Sequence, residues 1–235
     1  MKKRDPRRRH DRADTRIRHD GEDDVAAIGA ELLEMRAPGS DRVTASMPQP
    51  SDFKSIDTNR ATLRRTKAGR EVVDLVSAWT GAGSSDDAEA ARSSMLKGGY
   101  PLARRAMAEG PPTPRLFRGV YANSEESEAW IQSLDVGSEI DLLGASSFTT
   151  SRRHAQFFAG SITNVIIEID EGDANGLPVE GISNSPGERE WMLTGHLEVT
   201  EAEREVSTDY EGSGFDVVSV RVKARVVRGR RKAKR

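Results

Sequence analysis

Two kinds of hydrophobic spacing divide the chain, and the change-over falls near residue 112. Before it, "TLRRTKAGREVVDLVSAWTG" (62–81) sets Leu63, Val72, Val73, Leu75, Val76 and Trp79 at intervals that a helix gathers on one side. "SSDDAEAARSSML" (84–96) follows as a second helix, with Ser85 as candidate N-cap and acids in its first turn. "PLARRAMAEG" (101–110) reads as a third, stopped at Gly110. Farther upstream, "DDVAAIGAELLEM" (23–35) has the spacing of a three-turn helix.

After "PPTP" the spacing becomes that of strands: "RLFRGVY" (115–121), "SEIDLL" (138–143), "NVIIEID" (164–170), "EREWML" (188–193), "HLEVTE" (196–201) and "FDVVSVRVKARVV" (215–227). In the last, Val218, Val220, Val222, Ala224 and Val226 alternate with mostly polar partners, the period of a half-buried strand. Two helical stretches interrupt this half, "SEESEAWIQSL" (124–134) and "SRRHAQFFA" (151–159). Helices first and strands afterwards predict an α+β fold: an N-terminal helical subdomain (57–110) and then a mainly antiparallel sheet core (115–227).

Composition bounds this picture. The 235 residues, 35% hydrophobic and 31% charged, suffice for one sizeable domain with extensions. We place the domain at 53–227, flanked by a basic arm (1–52), expected to be largely disordered outside its one helix, and a basic tail (228–235). The chain lacks a run of about 18 apolar residues, and its basic start leads into charged sequence rather than a secretory core. The expectation is a protein with no signal peptide and no membrane partner, cytoplasmic or delivered by a specialised system or a virion.

There is no cysteine, and His10, His19, His154 and His196 are scattered, so the expected chemistry is metal-free. The net charge of −2 hides a segregation: residues 1–20 carry nine Lys/Arg against four Asp, and 221–235 carry nine Lys/Arg and no acid. Basic ends of this kind suit contact with nucleic-acid phosphates, or serve as solvated tails. No aromatic side chains are interleaved for stacking on bases, and both readings stay open.

Three short pieces carry polar groups that a plain sheet does not need. Arg118 lies inside the apolar "LFRGVY" and is followed by Gly119, where a ligand can approach the backbone. Ser147, Phe148 and Thr149 lie in the hydroxyl-rich "SSFTTS", whose Ser151 is a helix cap. Glu188 and Glu190 stand two apart in "GEREWML"; on a strand they share one face about 6.5 Å apart, with Arg189, Trp191 and Leu193 on the other.

In this order the three pieces resemble the Arg-Ser-Glu class of ADP-ribosyltransferases, whose members include bacterial toxins, vertebrate ecto-enzymes and phage-encoded enzymes. The resemblance covers residues 57–227: Arg118-Gly119 on the first strand, a Ser-Thr-Ser-type strand at Ser147, Phe148 and Thr149, a short helix, and a Glu-x-Glu strand at Glu188 and Glu190. Phe148 and Thr149 depart from the family pattern, which has Thr and Ser there. The turn "GISNSPG" (181–187) ahead of the glutamates and the "VIIEID" and "VVSVRVKA" strands add to the match.

The resemblance implies a split sheet, NAD as substrate and cleavage of its nicotinamide–ribose bond through an oxocarbenium-like transition state. It implies that Glu190 holds the ribose 2′-hydroxyl, that Ser147 orients Glu190, that Arg118 grips a phosphate and that Gly119 meets the nicotinamide amide. Phe148 and Thr149 complete the NAD-binding strand. Glu at position 188 goes, in the family, with transfer to arginine, so the expected partner is a target protein with an exposed arginine. Two alternatives stand beside this mono-ADP-ribosyltransferase reading: an NAD glycohydrolase or nucleic-acid-modifying enzyme, and a non-catalytic structural protein packed in a virion.

Overall fold

Among the described residues, five helices precede the first strand: α1 (Asp24–Glu34), α2 (Phe53–Leu63), α3 (Lys67–Trp79), α4 (Ser85–Leu96) and α5 (Pro101–Ala108). The structure, a computed structural model, describes residues 24–35, 53–80, 85–160, 162–207 and 217–227. The Thr66 side chain opens α3 by accepting from the Gly69 N–H, and Pro101 starts α5. The α3 stripe read from the sequence is the centre of this layer, with Val72, Val73, Leu75 and Val76 all buried.

Helix α1 belongs to the same layer. Val25, Ile28 and Leu32, spaced by three and four, are each at most 2% exposed and share the core of α3 and α5. The packed unit therefore begins upstream of residue 53, because an apolar stripe this regular is stable only when buried. The rest of the 1–52 arm, the 228–235 tail and the Ser85 side chain lie outside the described residues.

The second half holds β1 (Leu116–Tyr121), α6 (Glu125–Ser133), β2 (Glu139–Asp141), β3 (Ser146–Thr149), α7 (Arg152–Ala159), β4 (Thr163–Ile169), β5 (Leu177–Pro178), β6 (Glu190–Leu193), β7 (His196–Ser207) and β8 (Val217–Val226). They form one eight-stranded sheet in the order β2-β7-β8-β4-β1-β3-β6-β5. Every pairing is antiparallel except β4 with β8. The α+β architecture with a mainly antiparallel sheet is as the hydrophobic spacing predicts. Among the described residues, no helix is long and apolar enough to cross a membrane.

The sheet is nearly parted at one seam. β1 shares six register pairs with β4 but a single one, Phe117 with Thr149, with β3. On the far side of the seam, β6 packs two cores at once. Met192 enters the core of the helical layer, whereas Trp191 and Leu193 enter the sheet core with Phe148 and Leu116.

Strand β6 begins at Glu190, not at residue 188 as the apolar run predicts. Pro186–Glu188 is a 3₁₀ turn, and Arg189 has a left-handed backbone, φ 51°. The period-two argument for Glu188, Arg189 and Glu190 is corrected accordingly: a left-handed residue breaks strand alternation.

Candidate active site

A cleft of about 1100 Å³ runs along the seam. Its lining includes Arg118 and Gly119 of β1, Ser147, Phe148 and Thr149 of β3, Glu190 of β6 and Glu188 of the preceding turn. The cleft thus brings together all seven residues singled out in the sequence, although Glu188 reaches it from a turn rather than from the strand face.

Glu190 is the most deeply placed acid of the group, 4% exposed. The Ser147 hydroxyl donates to its Oε1, and the Ser183 hydroxyl donates to its Oε2 at 3.2 Å. Burial pushes its carboxyl up to about 7; the two serine bonds and Arg118 pull against that, and the Glu188 charge adds to it. Glu188, half-buried, is also raised by desolvation, against a hydrogen bond from the Ser185 side chain.

Arg118 crosses the seam. Its Nη1 donates to the Ser147 carbonyl at 2.7 Å, and its guanidinium carbon lies 5.9 Å from the centre of the Phe148 ring. Desolvation, and secondarily the positive charge of Arg92, lowers its pKa to about 10, with Glu190 opposing. A guanidinium carries five N–H donors, so one carbonyl leaves most of its capacity for an anion in the cleft.

Three of the sequence candidates have structural duties as well. The Thr149 hydroxyl donates to the Glu188 carbonyl at 2.6 Å and accepts from the Ser151 N–H at 3.0 Å, which ties the turn to β3. Phe148, 2% exposed, is sheet core. At Gly119 a Cβ would lie 1.8 Å from the Ala155 carbonyl oxygen and 2.7 Å from the Ala159 nitrogen, so the missing side chain admits helix α7. Ser151 caps α7 by accepting from the His154 N–H at 3.3 Å.

The sequence reading missed the contribution of the helical layer. Trp79, Thr80 and Arg92 line the cleft, and Arg92 lies 5.4 Å from the Trp79 ring centre. A signal existed: Arg92 is the single basic residue of α4, whose other charges are Asp86, Asp87 and Glu89. Ser183 was missed too, and nothing local distinguishes it from the other polar residues of "GISNSPG". Among the described residues, no group of three or more His, Cys, Asp or Glu is placed to hold a metal ion.

No protein-family model and no curated protein matches the chain. Among solved structures, exoenzyme S from Pseudomonas aeruginosa, in complex with human 14-3-3 protein beta and bound to carba-NAD, is similar at 15% identity, covering 90% of this chain and 93% of that one, TM-score 0.44. Plx2a, an ADP-ribosyltransferase toxin from Paenibacillus larvae, is similar at 14% identity over 84% and 91% of the two chains, TM-score 0.38. The Vis toxin, an ADP-ribosyltransferase from Vibrio splendidus, is similar at 16% identity over 86% and 85%, TM-score 0.38.

Proposed function

We propose that the chain is an NAD-dependent mono-ADP-ribosyltransferase that transfers ADP-ribose to an arginine of a target protein. One observation carries the reading. Arg118, Ser147 and Glu190 come from three strands and are far apart in sequence, yet they line one cleft, with the Ser147 hydroxyl on the Glu190 carboxylate.

The cleft, at about 1100 Å³, matches the upper end of the range of small-molecule sites, as suits an extended ligand such as a dinucleotide. Arg118, with donors to spare, binds one phosphate of NAD, and Arg92, from the helical layer of the same cleft, suits the second. Glu190 binds the ribose 2′-hydroxyl and sets a negative charge beside the positive charge that grows on the sugar as nicotinamide leaves. Ser147 keeps that carboxylate aimed. Glu188, on the turn that lines the cleft, holds the guanidinium of the acceptor and takes its proton.

The catalytic unit includes α3 and α4 as well as the sheet, since Trp79 and Arg92 line the cleft. A test is incubation of the protein with NAD labelled in its adenylate half and a cell lysate, with nicotinamide release followed in parallel. Label is expected on protein, and E190Q is expected to abolish it. Labelling that survives E190Q sinks the assigned mechanism. Nicotinamide release without labelled protein moves the reading to a glycohydrolase, and label on RNA or DNA moves the acceptor to nucleic acid.

A further inference from the structure

Both carboxylate oxygens of Glu190 are held, one by Ser147 and the other by Ser183 on the turn between β5 and β6. Ser183 is fully buried. Its hydroxyl accepts from the Ser185 N–H at 3.0 Å, which leaves its one hydrogen for Glu190. The backbone closes the same circuit: the Ser183 N–H donates to the Val179 carbonyl at 2.8 Å, and the Val179 N–H donates to the Glu190 carbonyl at 2.9 Å. Ser183 is thereby tied to Glu190 through the main chain and through the side chains.

The turn is in turn gripped by the helical layer. Asn59 Nδ2 donates to the Gly181 carbonyl at 2.9 Å, and Arg60 Nε donates to the Ile182 carbonyl at 2.8 Å. Arg60 Nη2 reaches Asn184 Oδ1 at 2.7 Å, and the Asn184 N–H donates to Thr80 Oγ1 at 3.1 Å. Gly181 packs against the end of α1 so closely that a Cβ would lie 2.7 Å from the Met35 carbonyl oxygen. Residues some 120 positions away in sequence thus hold the turn on both sides of Ser183.

We propose that Ser183 is a second positioning residue for Glu190, and that α2, through Asn59 and Arg60, holds the turn that carries it. The terminal torsion of a glutamate is broad and roughly two-fold, so one donor on one oxygen leaves the carboxylate plane free to swing. Donors on both oxygens fix it, and preorganisation of this kind is what a developing charge rewards. Ser183 also offsets part of the burial penalty on the charged form, together with Ser147 and Arg118 and against Glu188. The inference rests on the reading of Glu190 as the group that faces the NAD ribose.

The test uses the full chain with carbon-13-labelled glutamate carboxyls, the Glu190 signal being identified by its loss in E190Q. In S183A the Glu190 titration midpoint is expected to rise by about one unit, the worth of one hydrogen bond to a charged group. The kcat for nicotinamide release is expected to fall about tenfold while KM for NAD holds within about twofold. N59A and R60Q are expected to move the midpoint in the same direction by less, and to speed amide exchange at 181–185.

A folded S183A with an unchanged midpoint overturns the proposal, as does a loss confined to KM. Should S183A fail to fold, an unchanged midpoint in both N59A and R60Q overturns it instead. If the wild-type protein does not act on NAD, the proposed function fails, while the titration still decides whether Ser183 holds the carboxylate.

Discussion

Glu188 and Glu190 carry the same side chain two residues apart, and they belong to different kinds of structure. Glu190 opens a strand packed between two cores, and its carboxylate is bracketed by two serine hydroxyls. Glu188 ends a 3₁₀ turn and is half-buried; Thr149 holds its backbone carbonyl. Desolvation raises the proton affinity of both, but the strand fixes one carboxylate in place and the turn leaves the other half-buried in the cleft lining. A group that stabilises charge growing on a small substrate gains from being fixed. A group that meets a protein acceptor gains from reach.

The largest test of this division is E190Q, expected to lower nicotinamide release about a thousandfold. A loss under about tenfold breaks the comparison, because a carboxylate that can be dispensed with is not the electrostatic centre. E188Q is expected to lower transfer to agmatine or to protein about a hundredfold and leave NAD hydrolysis within a few-fold. Equal losses in both activities erase the difference between strand and turn. R118K, which keeps the charge but loses the two-pronged geometry, is expected to raise KM for NAD about tenfold, more than it lowers kcat.

The pH dependence sharpens the same contrast. Activity that needs ionised Glu190 is expected to rise through an acid limb with its midpoint near 7, as the carboxyl is pushed to about 7 in the fold. In E188Q the limb is expected to move to lower pH, because the neighbouring negative charge that helps to raise Glu190 is gone.

For stability, the sign follows from the direction of the shift. A carboxyl raised on folding binds more protons in the folded state, so stability declines as pH rises from the ordinary glutamate range through about 7. E190Q is expected to be more stable than the wild type by roughly 3 kcal/mol at pH 8 and to show almost no gain near pH 4.5. Thermal melts at the two pH values check it.

The parts of the fold legible in the sequence are those with a regular period. The α3 stripe, the α1 stripe, the cap at Ser151 and the alternation of β8 each depend on contacts a few residues apart, and each stands where the spacing places it. The short strands were less readable. β5 has two residues and β3 four, too few to show a period, and β7 runs six residues beyond its apolar part.

The site was partly readable for the same reason. Arg118 is a polar residue inside an apolar run and Glu190 stands at the head of one, and such residues stand out. Gly119 also stood out, but its emptiness serves the approach of α7.

By itself, the sequence determined the order of elements, the residues that break an apolar pattern, and the presence of a carboxylate on a core strand. These are local properties, set by spacing and side-chain type. Only the tertiary structure decided that β1 and β3 meet at a single pair, so that a cleft opens beside Ser147. It also turned the chain at Arg189, so that Glu188 leaves the strand, and brought Asn59 and Arg60 to the turn before β6, Arg92 to the cleft and Ser183 to Glu190. Those outcomes depend on chain segments more than 120 residues apart finding one another, and no period along the sequence encodes such a meeting.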